Sequence, residues 1–237
     1  MPEPVLPLRD INPTRRAPFA TYLIIAINLM VFVYQYIVLT PTLNEVLVRK
    51  HGVVPHFLLS GYGPALSTPL TSLFMHGGLA HLLSNLWFLH VFGDNVEDAL
   101  GRFRYVLFYL FTGVVAALAH VLVQPDSQLP LVGASGAISG VLGAYVLLFP
   151  RARVVTFFPP FFFFELPAFF FILAWFGMQV FSGCGSLLST ETAGIAFFAH
   201  VGGFIAGLGF MLVAGKPKGS PVGYLGARTY PRTFRRR

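Results

Sequence analysis

The stretch LVGASGAISGVLG, residues 131–143, places a serine between glycines in an otherwise apolar segment. Glycines lie on both sides of Ser135, and Gly136 and Gly140 are four residues apart. Small residues at this spacing allow the backbones of two helices to approach closely in lipid. The stretch therefore predicts a tightly packed membrane helix. Whether Ser135 is a nucleophile or only a packing residue depends on the side chains that the rest of the chain brings to it.

The composition indicates a membrane protein. Of 237 residues, 55% are hydrophobic and 11% are charged, and the mean hydropathy is +0.71. Soluble domains carry about 25% charged residues. The single cysteine, Cys184, excludes an internal disulfide framework and a cysteine-rich zinc site. The net charge is +7, and seven of the sixteen Lys and Arg residues follow residue 215. Such a basic end is typical of a topology signal facing anionic lipid, not of nucleic-acid binding.

Six apolar stretches approach the length of about 20 residues that a spanning helix needs. The first stretch is too long for the apolar core of a signal peptide. It is therefore expected to stay in the mature protein as a membrane span. Three prolines interrupt the fifth, and its regular helix is predicted from about Pro167, since proline fits a first turn and breaks an interior. The predicted spans are roughly 19–39, 69–92, 103–123, 133–150, 157–181 and 194–214.

The distribution of basic residues orients these spans. With both termini inside, the inner segments hold fourteen of the sixteen Lys and Arg residues, and the outer loops hold only Arg49 and Lys50. This arrangement satisfies the positive-inside rule. Spans 2, 4 and 6 then all enter the bilayer from the outer face.

The predicted fold is all-α: a polytopic bundle of six transmembrane helices. Residues 1–18 are predicted to form a cytoplasmic N-terminal segment, 19–214 the membrane domain, and 215–237 a basic, disordered cytoplasmic tail. The first outer loop, about 40–68, is long and contains apolar patches. Because long connections tend to be functional or disordered, we expect this loop to be a partly embedded structure against the bundle.

Polar side chains in the spans are costly and usually mark function. His81 and Asn85 are four residues apart and share one helix face, and His76 precedes them. Ser135 lies near the outer end of span 4, and His200 about two turns into span 6. Since these helices enter from the same side, the polar residues are predicted to share one layer.

This layer has the components of a serine hydrolase. Paired small residues in spans 4 and 6 favour a close approach that brings Ser135 within reach of His200, as nucleophile and general base. His81, Asn85 and the backbone N–H of Ser135, near a helix start, are candidate oxyanion donors. No carboxylate is expected near His200, so the predicted catalytic unit is a Ser–His dyad.

Four motifs, in order along the chain, resemble those of the rhomboid intramembrane serine proteases of bacterial type, which have six transmembrane helices. The resemblance covers about residues 19–214. The motifs are HGGLAHLLSN (76–85), FGDNVEDALGRFRYVLFYLFTGVVAA (92–117), GASGAISG (133–140) and AHVGGFIAG (199–207).

The resemblance implies the same roles: Ser135 as nucleophile, His200 as base, His81 and Asn85 at the oxyanion hole, and His76 as a structural or solvent-facing neighbour. It also implies single-span membrane protein substrates that enter past span 5, and no cofactor or metal. Separately, a prokaryotic cell membrane is the expected location, with an organellar membrane as the alternative.

One position departs from the family pattern. Many members carry a Trp-Arg pair in the first outer loop, where this chain has Ser67 and Thr68. The family arginine is held to brace that loop, so the departure bears on how the loop is held here. The Ser–His dyad itself is intact.

Two other functions remain open from the sequence. One is a catalytically silent relative that binds membrane clients, which loss of Ser135 or His200 would have favoured. The other is a bis-histidine haem or metal protein of the membrane, using pairs among His81, His90, His120 and His200. The metalloprotease motif H-E-x-x-H is absent from the sequence.

Overall fold

The computed structural model describes residues 6–158, 162–188 and 197–215, and this part of the chain is mostly helical. Short helices and turns fill the first long connection, and the longer helices form the bundle. The helices are α1 (Phe19–Val33), α2 (Pro41–His51), α3 (Pro55–Leu59), α4 (Thr68–Thr71), α5 (Leu79–Leu100), α6 (Arg102–Val123), α7 (Ser135–Leu148), α8 (Ala168–Leu188) and α9 (Phe197–Ala214).

Several of these helices are suited to cross a membrane, so the chain is a polytopic helical membrane protein. Four described segments have the necessary length and hydropathy: Phe19–Val38, Arg102–Val123, Ala168–Gly185 and Phe197–Ala214. Helix α7 is apolar but has only 14 residues. Helix α5 carries three acidic residues in its last two turns. For α5 and α7 the crossing remains a prediction.

The predicted boundaries of span 2, 69–92, are wrong. The chain before Leu79 folds into α4 and a 3-10 turn, and α5 continues to Leu100. The acidic end of α5 stays helical because Glu97, which is 3% exposed, accepts hydrogen bonds from the backbone N–H groups of Ala20 and Thr21. These are first-turn N–H groups of α1, which have no partner within their own helix. The carboxylate thus joins α5 to the start of α1.

The predicted start of the fifth helix is confirmed to within one residue, since α8 begins at Ala168. The preceding part of predicted span 5 is not helical, and this boundary is corrected. Strands β2 (Arg153–Phe158) and β3 (Phe162–Pro167) pair antiparallel there. Aromatic and β-branched residues favour strands, and proline disfavours a helix interior. Pro159 and Pro160 lie outside the described residues.

A third strand comes from the N-terminal segment. Strand β1 (Leu6–Asp10) pairs antiparallel with β2, giving the strand order β1-β2-β3. The indole N–H of Trp87 also donates to the carbonyl of Pro7, at 2.5 Å. This small sheet, which the sequence did not predict, ties the segment before α1 to α5 and to the approach to α8. The predicted disordered tail, 215–237, lies outside the described residues except for Gly215.

Helices α7 and α9 are in backbone contact, as the glycine spacing predicted. A Cβ atom added at Gly203 would collide with the carbonyl oxygen of Gly136, and one added at Gly207 with that of Gly140. Only glycine, which has no Cβ atom, lets the backbones of α7 and α9 come this close. Nearly every residue of α7 is buried, so α7 is the central helix and α9 is held directly against it.

The first long loop packs against the bundle, as predicted. Val53 is fully buried, forms an antiparallel bridge with Leu131, and clusters with Ala117 and Val121 of α6. Thr68, at the position that departs from the family pattern, donates a 2.6 Å hydrogen bond to the carbonyl of Ala65. Hydrogen bonds from side-chain hydroxyl groups to backbone carbonyls, such as this one, therefore help to hold the loop.

A buried carboxyl group lies where the sheet meets the bundle. The Asp10 Oδ2 atom accepts hydrogen bonds from the Tyr145 hydroxyl, at 2.5 Å, and from the Asn95 side chain, at 2.7 Å. Burial, together with the nearby charge of Asp94, raises the pKa of Asp10 from 3.8 to about 7. The folded protein therefore holds a proton on Asp10 at pH values where the unfolded chain has lost it.

We expect Asp10 to make the protein less stable as pH rises. The raised pKa contributes stability below about pH 4, and that contribution is lost as pH rises through about 7. Asp10→Asn removes the titration but keeps an acceptor oxygen. The quantity to compare is the melting temperature of D10N minus that of wild type, both in detergent. This difference is expected to be more positive at about pH 8 than at about pH 5. An identical difference between D10N and wild type at both pH values would contradict the assignment.

Candidate active site

The structure brings Ser135 and His200 into hydrogen-bond contact. Ser135 is the first residue of α7, and His200 lies in the first turn of α9. The distance from Ser135 Oγ to His200 Nε2 is 2.8 Å, although the residues are 65 positions apart in the sequence. This contact depends on the glycine-mediated approach of α7 and α9. It is the geometry that activation of a serine by a general base requires.

The second nitrogen of His200 also has a partner, which the sequence analysis missed. Gln179 of α8 places its Oε1 atom 2.8 Å from His200 Nδ1. The sequence predicted no carboxylate near His200, and the orienting partner is instead a neutral amide. Gln179 is nevertheless the only amide side chain in the apolar run 168–181, and an isolated amide in a membrane helix is a signal that would have found it.

The His81 ring and Ser135 Oγ both lie close to Gly133, and the absence of a side chain at Gly133 provides the space for the ring. Gly133 has φ +129°, and a Cβ atom built there would lie 2.8 Å from His81 Nε2 and 3.7 Å from Ser135 Oγ. The backbone N–H of Gly77 donates to His81 Nδ1 at 3.5 Å. If Nδ1 accepts, the proton of the neutral ring is on Nε2, so a donor faces the space shared with the serine hydroxyl.

Asn85 follows one turn later on α5 and carries an unpaired donor. Its side chain is 5% exposed, and its Nδ2 atom has no hydrogen-bond partner within the described part of the chain. An unpaired buried polar group costs about 1–3 kcal/mol. Such a donor is available for a ligand oxygen.

His76 is held in place through its backbone. Its N–H donates to Gln35 Oε1 at 3.1 Å, and its carbonyl accepts from the Gln35 amide and the Tyr36 hydroxyl. Its ring is fully buried and lies edge-on to His81, with ring centroids 5.2 Å apart. His76 therefore packs behind His81, which agrees with a structural role.

The family model described as the Rhomboid domain matches residues 65–217, more than half of the chain. The chain belongs to the rhomboid family. The match includes all four predicted site residues and Gln179.

The relatives that the chain resembles carry rhomboid names, and two of those names include an organelle. Over 136 residues, the chain is 36% identical to the rhomboid protease GluP of Bacillus subtilis, covering 56% of this chain and 26% of GluP. Over 198 residues, it is 28% identical to the human mitochondrial presenilin-associated rhomboid-like protein, covering 79% of this chain and 46% of that protein. Over 85 residues, it is 46% identical to the chloroplastic rhomboid-like protein 11 of Arabidopsis thaliana, covering 36% of this chain and 30% of that protein. This rhomboid chain thus matches less than half the length of each relative.

The haem or metal alternative loses support from the contacts of His200. Both of its ring nitrogens are engaged, by Ser135 and Gln179, so neither is free for axial ligation. His90 stacks with Tyr22, with ring centroids 6.2 Å apart. This rhomboid protein therefore uses His200 in a hydrogen-bonded chain of three side chains.

Proposed function

We propose that this rhomboid protein is an intramembrane serine endopeptidase that cleaves transmembrane protein substrates within or next to their spans. The observation that carries the proposal is the 2.8 Å contact between Ser135 Oγ and His200 Nε2. The rhomboid family includes serine proteases of membranes, and one relative is named a rhomboid protease.

In the proposed reaction, Ser135 Oγ attacks the carbonyl carbon of the scissile peptide bond. His200 Nε2 takes the hydroxyl proton as the Oγ–C bond forms. The tetrahedral intermediate collapses, the C–N bond breaks, and His200 gives the proton to the leaving amine. Water then attacks the acyl-enzyme with His200 again as base, which releases the second product and restores Ser135.

The oxyanion that develops on the scissile carbonyl needs hydrogen-bond donors near Ser135. Asn85 Nδ2 is buried without a partner in the described chain, and His81 borders the space next to Ser135 Oγ. The backbone N–H of Ser135 belongs to the first turn of α7, where such groups lack an intrahelical partner. We assign these three donors to the oxyanion hole.

Asn85→Ala is expected to lower kcat for substrate cleavage about 10²- to 10³-fold, because one oxyanion donor is lost. Asn85→Asp, which keeps the shape but removes the donor, should be impaired as well. Ser84→Ala is the matched control: it lies on the same helix, is exposed, and bonds the His81 carbonyl. Wild-type kcat in N85A would remove Asn85 from the assignment.

The substrates of the proposed protease are single-span membrane proteins, and the lipid bilayer is its working medium. Both termini are proposed to face the cytoplasm of a prokaryotic cell, because fourteen of sixteen basic residues then lie on one side. The reaction as written needs no cofactor, metal or nucleic acid.

Labelling with a fluorophosphonate probe tests the proposal directly. Wild type, S135A and H200A are purified in detergent, checked for folding by circular dichroism, and exposed to the probe. Labelling of wild type alone is the expected result. Absence of labelling in folded wild type would favour the second candidate, a catalytically silent relative that binds membrane clients.

A further inference from the structure

We propose that Gln179 is a positioning residue that fixes the tautomer and orientation of His200, an inference that rests on the proposed protease function. The Gln179 Oε1 atom lies 2.8 Å from His200 Nδ1, on the opposite side of the ring from Ser135. An amide oxygen only accepts hydrogen bonds. His200 Nδ1 must therefore carry the proton in this contact.

The position of that proton decides whether His200 can act as a base. A neutral imidazole with its proton on Nδ1 has a free lone pair on Nε2, the nitrogen that faces Ser135 Oγ. The opposite tautomer would present an N–H group to the serine and could not take its proton. The Gln179 contact therefore selects the productive tautomer. When His200 becomes positively charged during the reaction, the same contact becomes a charge-assisted hydrogen bond.

Helix α8 also holds the face of the His200 ring. Trp175 precedes Gln179 by four residues, so both side chains lie on one face of α8. The ring centroids of Trp175 and His200 are 6.0 Å apart, with the planes tilted by 33°. One turn along α9, Phe204 stacks on Phe176 with a centroid distance of 4.3 Å. These ring contacts keep α8 and α9 at the separation that the hydrogen bond needs.

An amide suits this position better than a carboxylate does. An ionised acid within a membrane span is costly, whereas glutamine accepts the same hydrogen bond without a charge. Glu165, the only acidic residue in the predicted span 5, instead lies in strand β3, 3.1 Å from the Arg153 guanidinium. Gln179 therefore supplies the orienting acceptor that the predicted dyad lacked.

Gln179→Met tests this role, because methionine has nearly the same shape and no strong acceptor. We expect the maximal rate of fluorophosphonate labelling to fall about 10- to 100-fold, the effect of losing a hydrogen bond to a group that becomes charged. The concentration of probe that gives half-maximal rate should not change, since Gln179 does not touch the probe. Gln179→Glu, which keeps an acceptor oxygen, should label faster than Q179M. Met178→Leu, on the exposed side of the same turn, is the matched control.

Nitrogen-15 NMR of histidine-labelled protein measures the tautomer itself. The His200 signals are assigned by their loss in H200A. Wild type should carry the His200 proton on Nδ1, and Q179M should show a mixture or the Nε2 tautomer. A proton on Nε2 in wild type would overturn the inference even if Q179M failed to fold, and so would equal labelling rates in wild type and Q179M. Unlabelled wild type would instead count against the protease function.

Discussion

Ser135→Ala is expected to abolish substrate cleavage while leaving the fold intact. Loss of a catalytic serine or of its histidine base lowers kcat about 10⁶-fold in a serine protease. His200→Ala should lower it comparably, because the two residues act as one unit. Cleavage of a single-span reporter in proteoliposomes, followed by gel analysis, measures the loss. The double variant should be no worse than either single variant.

Ser139→Ala is the matched control for this experiment. Ser139 is buried on the same helix, one turn later, and donates its hydroxyl to the carbonyl of Ser135 at 2.7 Å. Its removal deletes the same atom without touching His200. Cleavage by S135A at the wild-type rate, or equal losses in S135A and S139A, would refute the assigned nucleophile.

Gly207→Ala is expected to damage both stability and activity. The added methyl group would overlap the carbonyl oxygen of Gly140, and the backbone cannot move aside as a flexible side chain can. Overpacking of this kind costs about 1–3 kcal/mol or more. Helices α7 and α9 must then separate, and a displacement of about 1 Å at the site can lower the rate about 10²-fold. The melting temperature and the fluorophosphonate labelling rate measure the two effects.

Gly209→Ala provides the control on the same helix. A Cβ atom at Gly209 meets no atom within 4 Å, so this substitution adds the same methyl group without a collision. G209A should keep the wild-type labelling rate and melting temperature. If G207A also behaved like wild type, the backbone contact between α7 and α9 would not be what positions His200 against Ser135.

The sequence predicted the parts of this protein that follow from helix periodicity and span orientation. Gly203 and Gly207 on one face of α9 predicted its approach to α7, and entry from a common side placed Ser135 and His200 at one depth. Both inferences depend on local spacing and on the direction of each span. The contact itself agrees with them, while the catalytic roles remain to be tested.

The features that the sequence did not predict depend on long-range pairing. Apolar residues near Phe157 satisfy the composition of a membrane span as well as that of a strand, and only their partners, Leu6–Asp10 and Phe162–Pro167, distinguish the two. Gln179 was overlooked for a similar reason, because a single amide gains a function only when another helix brings a histidine to it. The end of α5 was misplaced because the partners of Glu97 lie on α1.

The pairing of β1 with β2 has a consequence for biosynthesis. Strand β1 is translated before helices α1 to α7, and its partner β2 only after them. Until then Leu6–Asp10 is an unpaired strand with free backbone groups, the state most open to wrong association. The hydrogen bond from Ala20 to Glu97 likewise cannot form until 77 further residues have been translated. This end of the bundle is therefore completed late, and a nascent chain stalled before residue 153 is expected to insert its helices without it.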